Sequence, residues 1–131
     1  MRSPRPAQPL RLFMWFGVLG APFAWTLQFL VGYGLTEAAC NPGGDRGLAL
    51  NGTTLVATVA AASIAVLAEL SALKVFLHTR PVRGTGGAEE PPPRGRVHFL
   101  GTVGLLLGPL FFCIIVMSGV GAIVLTDCHQ S

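Results

Sequence analysis

Three long runs of apolar residues, almost free of charge, constrain this chain more than any other feature. Residues 12–35 (LFMWFGVLGAPFAWTLQFLVGYGL) hold no charged side chain over 24 positions. Residues 55–77 are interrupted only by Glu69 and, near their end, Lys74, and residues 99–125 again carry no charge. A helix rises about 1.5 Å per residue, so about 20 residues cross roughly 30 Å of hydrocarbon. Each run is long enough to span, the third with some tilt. Only 11% of the 131 residues are charged, against roughly 25% in an ordinary soluble domain. A soluble protein this small needs more polar surface than that, and the apolar content is too high for general disorder. The expectation is an all-α integral membrane protein, a single membrane domain over residues 1–131. Its three transmembrane helices are 12–35, 55–77 and 99–125, with loops 36–54 and 78–98 and tails 1–11 and 126–131.

Charge orients the spans. Arg2, Arg5 and Arg11 precede the first, and Lys74, Arg80, Arg83, Arg94 and Arg96 lie at or between the second and third. Arg46 alone falls on the other side. The positive-inside rule then places the N-terminus in the cytoplasm and the C-terminus in the periplasm. Trp15 and Tyr33 suit the two aromatic belts. The net charge of +3 is explained by topology and anionic headgroups, so no nucleic-acid partner is expected. The first apolar run far exceeds the 7–15 residues of a signal-peptide core. Glu37 stands three before Cys40, where lipoprotein cleavage requires an apolar residue, so the first span is read as a retained anchor. Eight Arg against one Lys, with 17 Gly and 10 Pro, suggest a GC-rich bacterial genome. The expected location is a bacterial inner membrane, in which the Asn51-Gly52-Thr53 sequon is silent.

The loops carry little chemistry. Asn41-Pro42-Gly43-Gly44-Asp45 is turn-rich. The 78–98 loop contains Gly84, Gly86 and Gly87, but no Gly-Lys-Ser/Thr follows them and no strand precedes, so a nucleotide site is not expected. Pro91-Pro92-Pro93 extends locally as polyproline II, in either a plain linker or a docking segment for a cytoplasmic partner.

Within the spans, Glu69 is the most informative residue. It lies roughly 4–5 Å inside the middle of the second span, where an acid costs about 2–3 kcal/mol unless it faces protein or water. Ala57, Ala61, Ala65 and Glu69 recur every four residues on one face, and small residues there admit a neighbouring helix. Two readings follow: a protonated carboxyl that donates a structural hydrogen bond, which we favour, or a proton or ion site. Trp25 and Gln28 lie well inside the first span, one turn apart, and both seek partners. Pro22 and Pro109 each remove a backbone bond and should kink their helices. Gly104-x-x-x-Gly108 is a close-packing notch, for this chain or another subunit. Cys113 reads as a small packing residue.

Cys40 and Cys128 sit just past the ends of their spans on the same side. In an oxidising periplasm they suit a disulfide, while Cys40, Cys128 and His129 form a much weaker candidate for copper(I) or zinc, so no metal is expected. Ser3, Ser63, Ser71, Ser118 and Ser131 lack a His and acid at catalytic spacing. No cofactor and no enzymatic activity are expected.

Gly20-Ala21-Pro22-Phe23-Ala24-Trp25, then Gln28, Gly32-Tyr33, Cys40 and the terminal Asp127-Cys128 resemble a group of uncharacterised small bacterial membrane proteins. These have about three spans and are often encoded near cytochrome c oxidase genes. The resemblance implies a respiratory-membrane setting and pairing of Cys40 with Cys128. The functional expectation is therefore a non-enzymatic accessory subunit or assembly factor of a larger complex, such as a haem-copper oxidase. Its partners would be the lipid bilayer and other membrane subunits or further copies of itself. The alternatives are a small homo-oligomeric transporter or proton channel using Glu69, and thiol or copper handling through Cys40 and Cys128.

Overall fold

A computed structural model describes residues 8–41, 43, 50–80, 94–125 and 128. The described residues form three helices and no strand: α1 (Gln8–Cys40), α2 (Leu50–His78) and α3 (Arg94–Val124). All three are long and apolar enough to cross a membrane. The chain is thus an all-helical protein with three candidate spans.

Each helix outruns its apolar stretch, because the apolar run marks what hydrocarbon tolerates and not where backbone hydrogen bonding ends. α1 continues through residues 36–40, where the Thr36 hydroxyl donates to the Gly32 carbonyl at 2.9 Å. It stops where Asn41 N–H reaches the Glu37 carbonyl, just before Pro42, which disfavours helix in the residue ahead of it. α2 begins at Leu50, five residues before the apolar run, so the sequon lies in its first turns and not in a loop. At its other end the Thr79 N–H and hydroxyl both bond the Val75 carbonyl, at 3.1 and 2.8 Å. α3 starts at Arg94, directly after the three prolines. α1 and α3 both run through their prolines as continuous helices.

Lipid is as apolar as a protein interior, so these helices are held by close approach and by polar links more than by a hydrophobic drive. Small residues supply the approach. Ala72 lies at the crossing of all three helices. A Cβ at Gly17 would stand 2.9 Å from the Ala72 nitrogen, and one at Gly104 would stand 2.9 Å from the Ala72 Cβ and 3.1 Å from the Gly17 carbonyl oxygen. Gly20 meets Ala68 equally closely, and Gly119 faces Thr58. Ala21, Ala24, Ala61, Ala65, Ala68 and Ile115 are all buried between these contacts. The small-residue face read from the second span and the Gly104–Gly108 notch are thus both used within the chain. Cys113 departs from expectation: it is exposed. Gly104, Gly108, Ile115 and Gly119 define the buried face of α3, and Cys113 lies about 200° around the helix from Ile115.

The basic residues described, Arg11, Lys74, Arg80, Arg94 and Arg96, all lie at one end of the bundle. Cys40 and Cys128 close the other, joined in a disulfide with Cα atoms 5.4 Å apart. Cys128 adopts a positive φ of 67°, a conformation uncommon for a residue with a side chain.

Candidate functional site

The polar centre of the bundle is Gln28, on α1 and only 9% exposed. Its Nε2 donates to the Thr58 hydroxyl oxygen of α2 at 3.0 Å and to the Ile115 carbonyl of α3 at 3.1 Å. One amide therefore ties all three helices together. Its Oε1 is buried and has no hydrogen-bond partner among the described residues.

Gln28 is also the deepest α1 residue lining a cavity of about 770 Å³ that runs toward the disulfide end. Phe29, Tyr33, Thr54, Ala57, Ser118, Ala122 and Leu125 line it, and Glu37, Asn41, Cys40 and Cys128 lie around its mouth. The Ser118 hydroxyl donates to the Ile115 carbonyl at 3.0 Å, and the Thr36 hydroxyl is committed to Gly32. The Phe29 and Tyr33 rings stack with centroids 6.5 Å apart.

Trp25 finds aromatic neighbours: its ring lies 6.0 Å from Phe29 and 5.8 Å from Phe111, centroid to centroid. It packs against the buried alanine cluster. Glu69 points between α2 and α3. Its Oε2 is buried and unpartnered among the described residues, and a Cβ at Gly108 would overlap the carboxyl group. Gly108 therefore makes the room that Glu69 occupies. Lys74 is turned elsewhere, with its Nζ 4.4 Å over the Phe13 ring. Gln28 and Glu69 do not meet. Ile115, at the Gln28 level, is seven residues from Gly108, about 10 Å along α3, and the buried alanines with Trp25 and Phe111 fill that layer.

The disulfide occupies both Cys40 and Cys128, so neither is a free thiol or a thiolate ligand in this state. His129 lies outside the described residues, as do Asp127 and residues 81–93 with their glycines and prolines. No group of three or more metal-ligating side chains occurs among the described residues.

One polar cluster gave no sequence signal. At the basic end, His98 stacks on Phe76 at 4.8 Å, and its Nδ1 lies 3.1 Å from the Thr79 hydroxyl. That hydroxyl already donates to the Val75 carbonyl, so it accepts from His98 Nδ1–H. Arg80 covers the Phe76 ring at 5.3 Å. These residues come from two helices separated by a loop without periodicity, and only their pairing in space brings them together.

Comparison with known proteins found no matching family model, no similar curated protein and no similar solved structure.

Proposed function

We propose that this chain is a non-enzymatic bacterial inner-membrane protein that acts by docking on other membrane subunits, as an accessory subunit or assembly factor of a haem-copper respiratory oxidase. The observation that carries the reading is the division of labour among its surfaces. The glycine notches, the alanine stripe and the Gln28 bridge are spent on holding three helices together. What faces outward is broad and apolar, and on α1 it is ordered. Phe16, Leu19, Phe23, Leu27 and Leu30 are all well exposed and fall at the 3–4 residue spacing of a helix-packing seam. A small, internally clamped bundle with such a face suits a packing partner in a larger assembly. The resemblance of the 20–25 segment, Gln28 and the two bonded cysteines to proteins encoded near cytochrome c oxidase genes supplies the candidate complex. The excess of basic residues at one end supports a cytoplasmic N-terminus.

The test is purification of the tagged protein from its native membrane in mild detergent, with a reduced-minus-oxidised visible spectrum and mass spectrometry of the co-purifying chains. Stoichiometric a-type haem with oxidase subunits is expected. A colourless protein running alone as a small oligomer would refute the docking role.

A second reading rests on Glu69, whose Oε2 is buried against α3 without a hydrogen-bond donor among the described residues. A proton-conducting oligomer requires Glu69→Gln to abolish flux in proteoliposomes while insertion is unchanged. The apolar layer between Glu69 and Gln28 weighs against a path through a single chain.

A further inference from the structure

We propose that the groove along Leu70, Leu73 and Leu77 on α2 seats one anionic phospholipid, its phosphate held by Lys74 and His78 and an acyl chain lying along the three leucines. The site is separate from the docking reading and stands whether or not an oxidase partner is found.

Lys74 is the residue that calls for an anion. It stands three residues inside the end of the apolar run 55–77, about 4–5 Å below it. A charge at the edge of hydrocarbon needs a counter-charge or water. Among the described residues no carboxylate supplies one. Glu69 lies five residues deeper and about 140° around the helix, with its Oε2 buried against Gly108 of α3. Glu37 is at the disulfide end. What Lys74 does contact is the Phe13 ring of α1, with its Nζ 4.4 Å from the centroid. A ring face attracts a cation without neutralising it, and an ammonium has three N–H donors to place.

The surroundings of Lys74 decide what carries the anion. Leu70, Leu73, Lys74, Leu77 and His78 line an open groove of about 370 Å³, and their three- and four-residue spacing puts them on one face of α2. The leucines are 55%, 39% and 52% exposed, as an acyl chain requires, since it lies along an open stripe and not in a closed cavity. Leu70 is the deepest and His78 ends the helix, so the groove runs from apolar to polar in the order of a phospholipid, chain below and phosphate above. In either charge state the His78 ring carries at least one N–H to donate. Free phosphate would leave the leucines unused. Charge then selects among lipids. Arg11 and Arg80 lie at the same end as Lys74 and reinforce its field, which favours a headgroup of net negative charge over a zwitterion that brings its own cation.

The test is native mass spectrometry of the full chain with its disulfide intact, released from mild detergent after titration with phosphatidylglycerol or with phosphatidylcholine of the same acyl chains. One phosphatidylglycerol per chain is expected to bind about fivefold more tightly than phosphatidylcholine, the ratio that one Lys near an anionic headgroup supplies. Lys74→Gln should erase that ratio and Lys74→Arg should keep it. Lys74 is exposed, so neither change disturbs the packing of the helices. Arg96→Gln removes a charge at the same end from α3, outside the groove, and should leave the ratio unchanged. Four results would each overturn the proposal: equal binding of the two lipids by the native chain; a ratio that survives Lys74→Gln; a ratio lost in Lys74→Arg; or a ratio lost as fully in Arg96→Gln, which is general attraction to a basic end.

Discussion

Replacing Gly104 with alanine tests the packing of the whole bundle, because one added methyl meets two helices at once. The new Cβ would stand 2.9 Å from the Ala72 Cβ and 3.1 Å from the Gly17 carbonyl oxygen. Ordinary contact begins at 3.4 Å, so α3 must retreat from α2 by about half an ångström. Ala72 has little room to yield, since it is 1% exposed and is itself packed closely against Gly17 at the same crossing. Overpacking of this kind costs about 1–3 kcal/mol. Glycine to alanine inside a helix also gains up to about 1 kcal/mol in propensity, and that gain must be cancelled. Gly34→Ala cancels it, because Gly34 lies within α1 and a Cβ there meets nothing within 4 Å. The measurement is reversible unfolding of both variants by titration from mild detergent into sodium dodecyl sulfate, followed by tryptophan fluorescence and circular dichroism. Relative to Gly34→Ala, Gly104→Ala should unfold with an equilibrium constant about 5- to 150-fold larger. Equal stability of the two variants, or a more stable Gly104→Ala, would refute a bundle closed on Ala72.

Other expectations are as direct. Thiol counting under denaturing, non-reducing conditions should find one reactive cysteine, Cys113, and three after reduction; three at the outset would refute the Cys40–Cys128 bond. Replacing both bonded cysteines with serine should lower stability. The 88-residue separation sets a ceiling of about 4–5 kcal/mol in the chain-entropy model, and confinement in a bilayer reduces it, so an unchanged unfolding midpoint would contradict the clamp. In native membranes Cys113 should react with an apolar maleimide and resist a charged, membrane-impermeant one, as an exposed mid-helix position facing lipid requires. Alkaline phosphatase fused after residue 131 should be active and a fusion at the N-terminus inactive; the reverse pattern would overturn the orientation.

The number and place of the helices were legible from hydropathy, because a chain in hydrocarbon must satisfy its backbone internally and only long apolar helices do so alone. Their ends were not. Residues 36–40 and 51–54 read as loop because they are polar or small, yet both stretches are helical: nothing breaks α1 before Pro42, and α2 runs through Asn51–Thr54. The face bearing Ala61 and Ala65 was legible from spacing alone, since helical periodicity is local. What that face meets was not: Gly17, Gly104 and Ala72 become one contact only when three separate segments are laid side by side. Gln28 stood out as a polar residue in an apolar span, but its partners Thr58 and Ile115 lie 30 and 87 residues away. The error at Cys113 has the same origin. A small residue near mid-span suits either a seam or the lipid, and the side is set by how α3 rotates against its neighbours.

Composition and local pattern, then, determined that this chain crosses a membrane as three helices, because the bilayer acts on each segment separately. The tertiary structure alone decided which small residues touch, that one amide joins three helices, and that its other end is buried without a partner among the described residues. Those are properties of surfaces brought together, and no single segment carries them.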